Sequence, residues 1–99
     1  MTVAQIPMTD TAVLETLIRA ALADLQAHEL HVIDESAAHA GHAGAKAGAH
    51  IRLRLVSAAF AGQSRVQRHR MVYERLASLL QGRIHALALE LQAPDEAGA

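Results

Sequence analysis

The chain has no cysteine, no tryptophan, one tyrosine, one phenylalanine and two prolines in 99 residues. Without cysteine there is no disulfide framework, no thiolate zinc site, no thiol nucleophile, and no iron–sulfur cluster held by this chain alone. Thiolate ligation of a soft metal here requires sulfur from a partner. Because Phe60 and Tyr73 are the only large aromatics, a core must be built from Leu, Ile, Val and Ala, and the length suits a single modest domain. Nine Lys and Arg against ten Asp and Glu leave a net charge of −1, too little for a strong overall attraction to nucleic acid or anionic membrane. No apolar run approaches the ~20 residues that span a bilayer. Residues 1–10 contain Pro7 and no Lys or Arg, unlike a secretory or transit leader. The expectation is a soluble cytoplasmic protein with no membrane partner.

What the chain does have is aliphatic bulk, 52% hydrophobic residues, and seven histidines. From Asp10 to Ala27, Leu14, Leu17, Ile18, Ala21, Leu22 and Leu25 recur at three and four, predicting an amphipathic helix capped by Thr9 or Asp10. Leu30 and Val32, and then Ile51, Leu53 and Leu55 alternating with Arg52 and Arg54, follow the period of half-buried strands. Between them, residues 36–49 are rich in Ala and Gly without apolar period and read as a loop. Ser64 is placed to cap a second long helix with Val72, Tyr73, Leu76, Leu79 and Leu80 on its apolar face. Gly82 stands where a left-handed cap would end it. Leu87, Leu89 and Leu91 then alternate as a third strand, with His85 in phase with the leucines. The order helix, strand, strand, helix, strand gives an α+β (α/β) domain over residues 10–93, its helices covering one face of a small sheet. Residues 1–9 read as a disordered N-terminal segment and 94–99 as a frayed tail.

Three strings carry further information: Asp34-Glu35-Ser36 ahead of the histidine-bearing loop; Phe60-Ala61-Gly62-Gln63-Ser64 followed by Arg68-His69-Arg70-Met71-Val72-Tyr73; and Ile84-His85-Ala86-Leu87-Ala88-Leu89. In this order, from about Leu14 to Pro94, the sequence resembles the BolA family. One departure is the C-terminus, which ends Pro94-Asp95-Glu96-Ala97-Gly98-Ala99 where relatives often continue with an aromatic-containing tail. The resemblance implies a class II KH-like fold: a helix, a β-hairpin, a helix-turn-helix element and a third strand completing a three-stranded mixed sheet. It also implies two lines of function. One is an adaptor role with a monothiol glutaredoxin, co-ligating a [2Fe–2S] cluster together with glutathione in iron–sulfur trafficking or iron sensing. The other is DNA-binding transcriptional regulation.

By the same resemblance, His85 matches the family's C-terminal cluster ligand, and His39 occupies the loop position of a second ligand. A neutral imidazole nitrogen suits iron, and histidine in place of thiolate raises cluster potential and makes the bond proton-sensitive. On the residues alone, His85 reads as a satisfied histidine at the core edge, and the resemblance reverses that reading. His42 is a fallback loop ligand, and His50, at the start of the second strand, is a candidate additional ligand. His69 and Tyr73 read as structural, the His69 ring tilting onto the packed helix face and hydrogen-bonding near the turn. Arg65, Arg68 and Arg70 are candidates for DNA phosphates or an acidic partner surface. The turn before them has no Gly-x-x-Gly loop of the kind that clamps nucleic-acid backbones. There is no nucleophile elbow, phosphate loop or zinc-protease motif, so the chain reads as a binding protein, not an enzyme. It is expected to be a monomer alone and a heterodimer with its partner.

Overall fold

The computed structural model describes residues 10–35 and 49–97. Residues 1–9 and the loop positions 36–48, with His39 and His42, lie outside the described residues, as do Gly98 and Ala99. Helix α1 (Asp10–Ala21) buries Leu14 and Ile18 one turn apart. It ends earlier than the apolar period suggests. A 3-10 turn at Ala23–Leu25 follows, and Gln26 adopts a left-handed conformation, φ 48°, which redirects the chain while Leu22 and Leu25 stay buried.

Strands β1 (Glu29–Asp34) and β2 (Ala49–Val56) pair antiparallel, from Glu29 opposite Val56 to Asp34 opposite Ile51. Strand β3 (Ile84–Gln92) adds parallel to β2, giving the sheet order β1-β2-β3. A parallel pair needs a long crossover, supplied by α2 (Arg65–Arg75) and α3 (Ala77–Leu80). Ser64 begins α2 as expected. Its hydroxyl accepts from the Gln67 N–H at 3.1 Å, and the Gln67 side-chain oxygen accepts from the Ser64 N–H at 2.7 Å, satisfying two amides that the helix cannot pair internally. The single long helix expected beyond it is broken at Leu76, where φ −99° and ψ 7° interrupt the spiral. The break lets Val72, Leu76 and Leu79 all reach the core. Among the described glycines the left-handed one is Gly62, φ 77°, in the turn ahead of α2, and not Gly82.

The core forms where the helices cover one face of the sheet. Ile51, Leu53 and Leu55 of the central strand point into it, and the alternation that buries them turns Arg52 and Arg54 the other way. Around them close Ile18, Leu22, Phe60, Val72 and Leu76. Ser57, the one buried polar residue among those described, follows β2 and ties its end to the α1 side. Its hydroxyl donates to the Leu25 carbonyl at 2.5 Å and accepts from the Ala59 N–H at 3.1 Å, so a buried group that would be costly unpaired is satisfied twice. The C-terminal stretch is not frayed through residue 97. Pro94–Ala97 forms one helical turn, α4, with proline at the helix start, where its missing N–H costs nothing.

Leu53 is fully buried, whereas Ile33 is 44% exposed on β1. Leu53→Ala should therefore cost about 2–5 kcal/mol, while Ile33→Ala should stay within about 0.5 kcal/mol of the parent, both measured by urea denaturation. Equal losses at the two positions would contradict this placement of the core.

Candidate functional site

The site is set by how β3 is paired. Ala49 lies opposite Ile84, but His50 lies opposite Ala86, so His85 is one extra residue on β3 with no partner on β2. Simple alternation would place His85 on the face of Leu87, Leu89 and Leu91. The bulge shifts the phase by one. Ile84, 3% exposed, enters the core with the three leucines packed behind it, and His85 is turned out to solvent. His85 is therefore not in phase with the leucine face, because a bulge re-aims the side chain it frees.

His85 does not stand alone there. Its ring centroid is 5.3 Å from that of half-buried His50, with the ring planes at 42°. The Glu35 N–H donates to the His50 carbonyl at 2.7 Å, so the described residues on either side of 36–48 meet at this end of the sheet. Among the described residues no group of three or more His, Cys, Asp or Glu is gathered for a metal. The donor set is thus two neighbouring imidazoles, one of them exposed. Two imidazoles carry no thiolate, so an iron–sulfur group held at these residues would need sulfur from another molecule. The pairing of His50 with His85 is invisible to a reading of either segment alone, since it depends on strand register.

The basic residues do not form one patch. The Arg68 side chain, 13% exposed, donates to the Gln63 carbonyl at 2.9 Å and the Leu91 carbonyl at 3.3 Å. Its guanidinium also lies 6.0 Å from the centre of the Phe60 ring. Arg75 is held by Asp24 through a forked contact at 2.8–3.1 Å, and Arg52 by Glu35 at 3.1 Å. Arg65 and Arg70 remain exposed and without a partner among the described residues. Arg68 is therefore a structural anchor and unavailable to phosphates. Tyr73, expected on the packed face, is 41% exposed. The His69 ring is 6.5 Å from it, half-buried and, among the described residues, without the expected hydrogen bond. His69 lines a cavity of about 400 Å³ with Gln63, Arg65 and Arg68, closed on the other side by residues Leu89 to Gln92 of β3.

Comparison with known proteins supplies a family. A family model described as "BolA-like protein" matches residues 22–96. An uncharacterized Sinorhizobium protein is 42% identical over 85 residues, covering 83% of this chain and 91% of its own length. BolA-like protein 1 of Mus musculus is 42% identical over 83 residues, 83% of this chain but only 59% of that protein. A Haemophilus influenzae protein named DNA-binding transcriptional regulator BolA is 38% identical over 73 residues, covering 74% of this chain and 69% of its own length. Among solved structures, the BolA domain of SufE1 from Arabidopsis thaliana superposes with a TM-score of 0.71 at 43% identity, over 82% of this chain and 92% of that one.

Glu96 completes the Arg68 anchor, and sequence reading of the tail missed it. Both carboxylate oxygens accept from the guanidinium, at 2.6 and 2.8 Å, and one also accepts from the Ala93 N–H at 2.9 Å. The Arg68 bonds, then that N–H, hold the Glu96 carboxyl down at about 2 from an ordinary 4.5. A folded value below the unfolded one means that the unfolded state binds more protons between them, so this contribution to stability is complete above the unfolded value and is lost as pH falls toward about 2. The thermal midpoints of the parent and of Glu96→Gln should differ most above pH 5 and converge near pH 2. A gap independent of pH would show that the carboxylate does not anchor α4.

Proposed function

The chain belongs to the BolA-like family, and from that premise we propose that it is a non-enzymatic adaptor that docks on a monothiol glutaredoxin and co-ligates a [2Fe–2S] cluster for iron–sulfur trafficking or iron sensing. The observation that supports this reading is His85, lifted from the core by the β3 bulge, exposed, and beside His50 at the loop end of the sheet. In this reading His85 is the first ligand and His39 the second, with His42 and His50 as additional donors. The partner's cysteine and glutathione supply the thiolates that a cysteine-free chain lacks. Histidine ligation of such a cluster raises its potential and lets a proton compete for the bond. This chain's own part is to present imidazole at a fixed place on the sheet edge, in the cytoplasm, as a monomer that becomes one half of a heterodimer.

A second reading, a DNA-binding regulator using the helix-turn-helix-like element, is favoured by the likeness to the Haemophilus influenzae regulator and by the exposed Arg65 and Arg70 on α2. With Arg68 committed to Glu96, phosphate contacts in that reading fall on Arg65 and Arg70.

Mixing the apo-protein with cluster-loaded glutaredoxin should change the visible circular dichroism spectrum. His85→Ala should abolish the change and His39→Ala should reduce it, and an unchanged spectrum with the parent chain would reject the adaptor reading. For the regulator, affinity for a promoter duplex should exceed that for a scrambled one and fall steeply with salt. Arg65→Ala combined with Arg70→Ala should reduce both the affinity and the salt slope, and failure to discriminate promoter from scrambled DNA in a gel shift rejects it.

A further inference from the structure

We infer that His50 and His85 form a two-imidazole chelate for a single divalent transition-metal ion, of the Zn²⁺, Ni²⁺ or Cu²⁺ class, which this chain binds by itself. The inference rests on the placement of these two rings and not on the glutaredoxin reading. A metal–nitrogen bond is about 2.0–2.1 Å, and an imidazole centre lies about 1.1 Å behind its ligating nitrogen, so two rings sharing one tetrahedral ion have centres about 5 Å apart. The observed separation is 5.3 Å, and the 42° tilt departs from a flat stack. The ring separation that a shared ion requires therefore exists before any ion arrives.

Three features of the fold hold it in place. His50 belongs to the central strand, and its carbonyl is fixed by the Glu35 N–H at 2.7 Å. His85 sits at the bulge, between Ile84, which is anchored in the core, and Ala86, which pairs with His50. The two side chains therefore come from adjacent strands at neighbouring ladder positions, so little backbone freedom is lost on binding. Third, His85 is exposed, which leaves an entry path and coordination positions for water, the arrangement of an open rather than a closed structural site. Imidazole suits zinc, nickel and copper, whereas carboxylate and carbonyl sets suit magnesium and calcium. The same His85 cannot serve this ion and a shared cluster at once, so the free ion and cluster sharing exclude each other at this residue.

The probe is Zn²⁺ added to the nitrogen-15-labelled full chain without any partner, followed through the histidine ring nitrogens. The His50 and His85 signals should move together and saturate at one equivalent, while His28, His31 and His69 stay in place. His50→Gln and His85→Gln should each weaken Zn²⁺ binding by at least about 10-fold, since loss of even an outer-shell partner costs that much, in competition with a metal indicator, whereas the double variant His39→Gln, His42→Gln should still bind. The inference is overturned if the two signals move at different metal concentrations, or if His50→Gln binds Zn²⁺ as tightly as the parent. The parent-chain titration does not depend on any variant folding. Because no glutaredoxin or cluster is present, its failure leaves the adaptor reading untouched.

Discussion

The extra residue at the start of β3 is the constraint on which the arrangement turns. A parallel third strand must bury an apolar face against the helices, yet the segment Ile84-His85-Ala86-Leu87-Ala88-Leu89 has its isoleucine and its leucines out of phase by one position. A regular strand would leave either Ile84 or the three leucines on the wrong face, because a one-residue slip reverses every side chain. The mismatch between Ala49 and His50 resolves this conflict. Ile84 and Leu87, Leu89 and Leu91 all reach the core, and the residue that loses its place in the ladder is His85. The need to pack aliphatic surface thus exposes an imidazole.

A second constraint concerns the ends of the crossover. Helix α2 lies between the turn at Gly62 and the break at Leu76, and two arginines fasten it at opposite ends. Arg75 joins its last turn to Asp24 after α1. Arg68 joins its first turns to the end of β3 and to Glu96 of α4. These contacts are partly sheltered and forked, the geometry in which arginine and carboxylate give orientation as well as energy. They also divide the arginines by task, since those that hold the fold together have little left to offer a ligand.

Much of the fold was legible from periodicity and composition. Leu14, Ile18 and Leu22 announce α1; Leu53 and Leu55 alternating with Arg52 and Arg54 announce β2; and Ser64 with Gln67 three residues on is a helix start readable from side-chain chemistry alone. The errors lie where a local pattern meets a distant partner. Alternation placed His85 with the leucines, apolar spacing placed Tyr73 in the packed face, and a short polar tail looked unanchored because Arg68, its partner, is 28 residues away.

The absence of a thiolate ligand, the aliphatic core, the α+β order and the family resemblance can all be read without a fold, because each depends on residue identity or on spacing within one segment. The tertiary structure decided which histidine meets which and which arginine remains available. The bulge opposite His50 and the return of α4 to Arg68 are relations between segments far apart in the chain. Strand register, set by the collective packing of the core, fixes the first, and a guanidinium held among backbone carbonyls at the foot of α2 fixes the second.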